Sequence, residues 1–160
     1  MTLNKIFKNA ILAVLVGLLL SACAQQVKKV DSQLQGDVYT GTDTVEYLAD
    51  GVPDRVFFAT NESVLTTKSR DTLRKQAAWL RKNSSINIVI EGHADERGTR
   101  EYNLALGERR ANAAKDYLMT YGISGKRIST ISYGKEKPVN PASTPLAWSQ
   151  NRRSVTVKVN

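Results

Sequence analysis

Two long helical patterns alternate with short β-branched segments in this chain, and that alternation limits the folds it can adopt. From Thr66 to Asn83, apolar residues recur at i, i+4 and i+7 spacing, and Thr66 is a suitable N-cap. The second pattern runs from Glu101 to Tyr121 and stops before Gly122, a residue type favoured just after a helix. Both segments are therefore predicted to be helices that pack through one apolar side.

Four short apolar segments are predicted to be strands because β-branched and aromatic residues dominate them. They are Arg55–Phe58, Ile86–Glu91, Ile128–Tyr133 and Ser154–Val159. The last one shows a clean alternation of valines, and a short helical turn is expected before it at Pro145–Gln150. The resulting β-α-β-α-β-β order predicts an α+β two-layer sandwich, with a mixed four-stranded sheet and both helices on one face.

The N-terminus has the pattern of a secretory signal. Lys5 and Lys8 precede an apolar run at 10–20, which is too short for a comfortable membrane span. The run ends in Leu20-Ser21-Ala22-Cys23, where Cys23 is the only cysteine of the chain. This segment resembles a bacterial lipobox and predicts that a lipid is attached to Cys23. No other cofactor is predicted. The alternative is an ordinary signal peptide with a cysteine nearby by chance.

Three parts of the chain are predicted from these patterns. Residues 1–22 form a lipoprotein signal peptide, residues 23–44 a lipidated N-terminus with a flexible polar tether, and residues 45–160 the folded domain. Ala24 follows the cysteine, which favours an outer-membrane lipoprotein facing the periplasm. Removal of residues 1–22 leaves 21 basic and 15 acidic residues, a net charge of +6. Because export argues against a nucleic-acid partner, an anionic wall polymer or phospholipid is the expected counterpart.

The segment Glu91–Asn103 contains the residues best suited to ligand binding. Asp95 follows a predicted strand, and Arg110 lies in the third turn of the following helix. Because helical side chains lean toward the N-terminus, Arg110 can point back to the loop that holds Asp95. A cleft with a carboxylate on one wall and a guanidinium on the other would suit an amino-acid zwitterion. From spacing alone, a structural salt bridge between the two is the favoured alternative.

A spaced motif carries a resemblance to a known family. It runs from Gly92-His93-Ala94-Asp95 through Tyr102-Asn103 and Leu106 to Arg110-Ala111 and resembles the OmpA C-terminal-like domains. With the lipobox and two further segments, Ser132–Pro138 and Asn151–Arg153, the chain closely resembles the lipid-anchored members that act in the Tol-Pal system. The resemblance covers about Arg55 to the C-terminus and the lipidated start. It implies that the two-layer fold is OmpA-like.

The resemblance also implies a function, which is non-covalent binding of the peptidoglycan stem peptide through meso-diaminopimelate. Such binding links the outer membrane to the cell wall and supports envelope integrity and cell division. Asp95 and Arg110 match the residues that hold the charged centre of the ligand, and Asn103 and Leu106 match positions that line the pocket. Phe58 to Asn61 match a turn whose backbone amides receive a carboxylate, although Asn61 stands where an aspartate is usual.

Protein partners are also implied by the resemblance. They are TolB, the periplasmic propeller of the Tol system, and other Tol proteins, while outer-membrane lipid is reached through the anchor. His93, Glu96 and Arg97 are the candidate TolB contacts. A lipoprotein that binds partners only and leaves its cleft empty is the alternative.

Enzymatic function is not expected. One histidine and one acylated cysteine cannot supply the nitrogen and sulfur ligands that zinc usually needs, and no second histidine can act as a base. Glu91 and Asp95 could form a pair of carboxylates as in a glycosidase, but nothing predicts a long sugar cleft beside them. The chain is therefore predicted to be a binding protein.

Overall fold

The computed structural model of the protein describes residues 37–159. The predicted signal peptide, the predicted lipid site at Cys23 and the first part of the predicted tether lie outside these residues. Within residues 37–159, no helix combines the length and apolar character needed to cross a membrane.

A mixed four-stranded sheet forms one layer of the domain. Its strands are β3 (Arg55–Phe57), β4 (Asn87–His93), β5 (Ile128–Gly134) and β6 (Arg153–Val159), preceded by a separate hairpin of β1 (Tyr47–Ala49) and β2 (Val52–Pro53). The sheet order is β3-β6-β4-β5, where β4 and β5 are parallel and β6 is antiparallel to both of its neighbours. The predicted order of these four strands along the chain and the mixed sheet are confirmed, whereas the hairpin was not predicted.

Three α-helices accompany the sheet. They are α1 (Thr67–Lys82), α2 (Arg100–Thr120) and α3 (Pro145–Asn151), and a short 3-10 turn at Gly125–Arg127 leads into β5. Each α-helix begins after a threonine whose side chain accepts a hydrogen bond from a backbone N–H of the first turn. Gly122, two residues after α2, has a φ of +82°, so the predicted helix end is confirmed.

The apolar core lies between one face of the sheet and the two long helices. It contains Leu73, Ala77 and Leu80 of α1, Ala111, Ala114 and Leu118 of α2, and Val56, Ile88, Ile90 and Ile128 of the strands. Both long helices thus cover the same sheet face, and the predicted two-layer sandwich is confirmed. The opposite side, hereafter the open face, carries neither long helix.

The valines of β6 lie on the open face. Val155 pairs with Glu91 and Val157 with Val89, whereas the core residues Ile88 and Ile90 are opposite Lys158 and Thr156. Val157 and Val159 are 40% and 48% exposed. The alternation therefore identified a strand, and the structure shows that its valines lie on the face opposite the long helices.

Two predicted boundaries also differ from the structure. Strand β4 continues through His93, although the sequence placed a loop from Gly92 onward. Residues 37–44 were assigned to the flexible tether, yet Val38 and Tyr39 are buried against Phe57 and Ala59. The folded domain therefore extends at least back to Asp37.

Strand β4 and helix α2 approach each other closely at two glycines. A Cβ atom on Gly92 would collide with the carbonyl oxygen of Gly107, and one on Gly107 would collide with the Ser132 hydroxyl. The two glycines set the depth at which α2 lies on the sheet, and α2 carries Arg110 at its buried side. The geometry of the candidate site therefore depends on this contact.

We predict that Gly107→Ala lowers the free energy of unfolding, measured by urea denaturation, by about 1–3 kcal/mol because the helix must move away from the strand. Alanine is normally a better helix former than glycine by about 1 kcal/mol. A loss of stability at this position would therefore show that the added methyl group collides with its neighbours. Gly125→Ala is the matched control, since only the end of the flexible Met119 side chain lies near its added methyl group. Equal or higher stability of Gly107→Ala would contradict the close approach.

Candidate functional site

A cleft lies where the loop after β4 meets the turn after β3. Its volume is about 340 Å³, and it is lined by Thr60, Asn61, Arg97, Gly98 and Tyr102. Of these, Asn61 was predicted to belong to the site, and Arg97 was predicted as a partner contact. Tyr102, which is 43% exposed, was named in the family motif but was not predicted to be a site residue.

Asp95 lies beside the cleft and is covered by an arginine. Only 7% of the residue is exposed. Its carboxylate accepts hydrogen bonds from Arg97 Nε at 3.0 Å, Arg97 Nη2 at 2.7 Å and the Arg97 backbone N–H at 3.1 Å, and Arg152 Nη1 lies 3.4 Å away. Burial alone would raise the pKa of Asp95, but the bonds from Arg97 outweigh it and hold that pKa below its usual value. Asp95 is therefore ionised at neutral pH.

Arg110 is fully buried and binds backbone carbonyls. Its Nε, Nη1 and Nη2 atoms donate to the carbonyl oxygens of Glu62 at 2.8 Å, His93 at 2.8 Å and Ala59 at 3.0 Å, respectively. Burial lowers its pKa to about 10, so the guanidinium remains charged at neutral pH. A guanidinium has five N–H groups and these bonds use three, so two remain on the Nη atoms.

The structure thus differs from both geometries considered from the sequence. Asp95 forms its ion pairs with Arg97 and Arg152, so the salt-bridge alternative with Arg110 is not what the structure shows. The open cleft with Asp95 and Arg110 on opposite walls is also absent from the described residues, because Arg110 lies beneath the turn at 59–62. Sequence spacing could not reveal this arrangement, since the partners of Arg110 are backbone atoms far away in the chain.

The turn after β3 presents a backbone amide to a carboxylate. The Thr60 N–H donates to Asp37 Oδ2 at 2.6 Å. Burial alone would raise the pKa of Asp37, but this bond and the nearby arginines lower it below the usual value. Asn61 has a φ of +57°, a backbone conformation that asparagine tolerates better than most residues.

Arg152 connects the parts of the site, although the sequence analysis had named it only within the family segment Asn151–Arg153. It is 2% exposed and donates to the Phe58 carbonyl at 3.1 Å and to the Asp37 carboxylate at 3.0 Å, in addition to Asp95. A buried cation needs anionic or carbonyl partners, and Arg152 finds them only in the folded chain, because Phe58, Asp37 and Asp95 are distant in the sequence.

Three of the predicted lining residues lie behind the cleft. Asn103 donates from Nδ2 to the Arg97 carbonyl at 2.9 Å and so holds the loop that carries Asp95. Leu106 and Phe58 are buried, and the Phe58 ring lies 5.3 Å from the Arg110 guanidinium carbon. Direct contact of these three side chains with a ligand stays a prediction.

The predicted partner contacts divide into two groups. Glu96 and Arg97 are exposed beside the cleft; Glu96 accepts hydrogen bonds from Trp148 Nε1 at 2.9 Å and Ser143 Oγ at 3.1 Å, and Arg97 lies 4.3 Å above the Trp148 ring. The His93 ring is buried instead. Its assignment as a surface contact is therefore corrected, because its side chain does not reach the surface.

The arrangement offers receptors for two opposite charges. Asp95 binds a cationic group, and the Thr60 amide binds a carboxylate, so together they complement a zwitterion. Within residues 37–159, no group of three or more His, Cys, Asp or Glu side chains is placed to hold a metal ion.

Comparison with known proteins agrees with this fold. The OmpA family matches residues 57–152. A peptidoglycan-associated lipoprotein of Rhizobium meliloti (strain 1021) is 58% identical over 106 residues, a match that spans 66% of this chain and 60% of that relative. One from Mesorhizobium japonicum is 43% identical over 153 residues and spans 93% of this chain and 91% of the relative.

Solved structures show the same architecture. The peptidoglycan-associated lipoprotein of Burkholderia pseudomallei has a TM-score of 0.65 and 36% identity, covering 66% of this chain and 90% of that one. The C-terminal domain of Helicobacter pylori MotB has a TM-score of 0.62 at 19% identity, covers 67% of this chain and 84% of that one, and shows the fold alone. The fold is thus that of an OmpA-like domain. The chain belongs to the OmpA family and, within it, to the peptidoglycan-associated lipoproteins, which are binding proteins and not enzymes.

We predict that Arg110→Lys lowers the free energy of unfolding by about 2 kcal/mol or more. An ammonium group cannot reach three separate carbonyls. Each buried carbonyl that is left without a donor costs about 1–3 kcal/mol. Urea denaturation measures the loss. Arg109→Lys, the same change at the exposed neighbouring position, is the control and should stay close to the parent. Similar unfolding midpoints for both variants would contradict the role assigned to Arg110.

Proposed function

We propose that this domain binds peptidoglycan non-covalently through the zwitterionic end of meso-diaminopimelate in the stem peptide. Anchored by a lipid on Cys23, the protein would link the outer membrane to the cell wall within the Tol-Pal system and so support envelope integrity and cell division. The ligand class is supported by the relatives, which are named peptidoglycan-associated lipoproteins.

The proposal rests on one observation. Charged side chains of the protein itself occupy both the cation-binding carboxylate of Asp95 and the carboxylate-binding amide of Thr60. The Asp37 carboxylate is bound at the Thr60 amide, and the Arg97 guanidinium is bound at Asp95. The two positions are adjacent, since Arg97 Nη2 lies 3.4 Å from Thr60 Oγ1. A ligand that carries a carboxylate and an ammonium on one carbon would match this pair of positions.

Binding then requires an exchange at Asp95. The ligand ammonium replaces the Arg97 guanidinium, whose side chain is 42% exposed and can move into solvent or remain on the Trp148 ring. The ligand carboxylate replaces the Asp37 carboxylate and takes hydrogen bonds from the turn amides, beginning with the Thr60 N–H. Because Arg110 fixes the carbonyls of Ala59 and Glu62, the turn is already in place when the ligand arrives.

The same surface suits a protein partner. Glu96 and Arg97 are exposed at the edge of the cleft and are our remaining candidates for contact with TolB. A partner bound there would hold Arg97, the residue that also covers Asp95. Wall binding and partner binding would therefore influence each other through one side chain.

The test is isothermal titration calorimetry of the full chain with a stem peptide that contains meso-diaminopimelate. We predict that Asp95→Asn, which keeps the shape but removes the charge, weakens binding roughly tenfold or more, since a charge-assisted hydrogen bond contributes about 1.5–3 kcal/mol. Glu101→Gln is the control, because it removes a carboxylate from the exposed first turn of α2, outside the cleft lining.

A stem peptide with lysine in place of diaminopimelate provides the second comparison, since it lacks the side-chain carboxylate. Weaker binding of the lysine peptide is expected. Equal affinities for the two peptides, or full binding by Asp95→Asn, would contradict the zwitterion receptor. Absence of binding heat at millimolar peptide would favour a lipoprotein that binds protein partners only.

A further inference from the structure

A second concave site lies on the open face of the sheet. This groove has a volume of about 490 Å³, within the range of ligand sites. It runs between the β1–β2 hairpin, strand β6 and the loop after β5, and its lining includes Tyr47, Glu91, His93, Lys137, Arg153 and Val155. None of its lining residues is shared with the cleft beside Asp95.

The floor of the groove contains a buried histidine with unused hydrogen-bonding capacity. His93 is 1% exposed, and neither ring nitrogen has a hydrogen-bond partner among residues 37–159. Its Nε2 lies 3.4 Å from the Glu91 carboxylate, a contact too long to be a good hydrogen bond. Buried polar side chains are nearly always hydrogen-bonded, so two ring nitrogens without partners are unusual and are consistent with a ligand site.

Arg153, on the neighbouring strand, has an unused donor as well. It is 6% exposed; Nη1 donates to the Asn151 carbonyl at 3.3 Å and Nη2 to the Lys137 carbonyl at 3.2 Å. Its Nε–H has no partner within the part of the chain that is described. Two buried groups on adjacent strands of the groove thus lack partners, and both can donate.

The charges around these groups favour an anion. Asp54 binds Arg55 with two hydrogen bonds of 2.8 and 2.7 Å, and Glu46 lies 3.5 Å from the same guanidinium, so these three groups largely satisfy one another. The remaining lining charges on the open face are two cations, Lys137 and Arg153, against the single carboxylate of Glu91, since the Lys158 ammonium lies 5.9 Å from the Trp79 ring of α1 on the other face.

The pKa of His93 agrees with the excess of positive charge around its ring. Burial, followed by the positive charges of Arg153, Lys137 and Arg55, lowers the pKa of His93 to about 3. The ring is therefore neutral at physiological pH and keeps one N–H donor. Lys137 is exposed, and its Nζ lies 3.6 Å from the centre of the Tyr133 ring, which itself stacks beside His93 at 5.6 Å.

We propose that the groove binds an oxyanion, the phosphate or carboxylate group of a ligand, between Lys137 and the Arg153–His93 pair. The Lys137 ammonium approaches from the rim, and small shifts of the loop after β5 bring the Arg153 Nε–H and a His93 N–H to the anion. The charged donors of Lys137 and Arg153 suit phosphate and carboxylate oxygens, and the neutral His93 N–H adds a third hydrogen bond. The site does not depend on peptidoglycan binding in the cleft beside Asp95.

The test uses His93 as a spectroscopic reporter, because it is the only histidine of the chain. The full chain, labelled with ¹⁵N in histidine and held in detergent micelles, is titrated with inorganic phosphate and, separately, with acetate at constant ionic strength. A saturable shift of the imidazole signals is expected for at least one anion. Saturation by phosphate alone assigns a phosphate group, and saturation by acetate alone assigns a carboxylate.

Two lysine variants separate a site from general charge screening. Lys137→Gln, an exposed loop change that should leave the fold intact, is expected to abolish saturation. Lys82→Gln removes a charge from the exposed end of α1, beyond the groove lining, and should leave the titration unchanged. Shifts that rise linearly with both anions, or that persist in Lys137→Gln, would overturn the proposal.

Discussion

The buried guanidinium of Arg110 is the interaction on which the arrangement of the site depends. It binds carbonyls of the turn after β3 and of the end of β4, and so joins two loops that are separated by more than thirty residues. The close approach of Gly92 and Gly107 brings α2 near enough for this contact. Since burying a cation is costly without such partners, the loops and the helix stabilise one another as a unit.

Around Arg110, charged side chains of the protein occupy the two positions proposed for the ligand charges. Asp95 is held ionised by Arg97, and the Thr60 amide is bound to Asp37, while Arg152 contacts both carboxylates. Each internal partner, a guanidinium or a carboxylate, has the charge that one end of an amino acid would bring. Under the proposed function, these exchangeable groups would preorganise the site for a zwitterion, which reduces the cost of binding.

The sequence predicted the element order and the helix ends well, because caps such as Thr66 and the apolar periodicity of α1 are local signals. It did not predict which face of β6 the valines occupy, since alternation reports a strand but not the side that the helices cover. It identified Asp95 and Arg110, yet their spacing could not show that Arg110 binds carbonyls and Asp95 binds Arg97. Those contacts depend on residues brought together only by the fold.

The central claim is that a ligand ammonium exchanges with Arg97 at Asp95 while Arg110 keeps its carbonyl partners. A crystal structure of the protein with a meso-diaminopimelate stem peptide tests it most directly. The account predicts the ligand ammonium within hydrogen-bonding distance of Asp95, the Arg97 guanidinium displaced, and the bonds from Arg110 to Ala59, His93 and Glu62 retained. A bound peptide with the Arg97–Asp95 pair intact, or with Arg110 pulled out of its carbonyls, would contradict it.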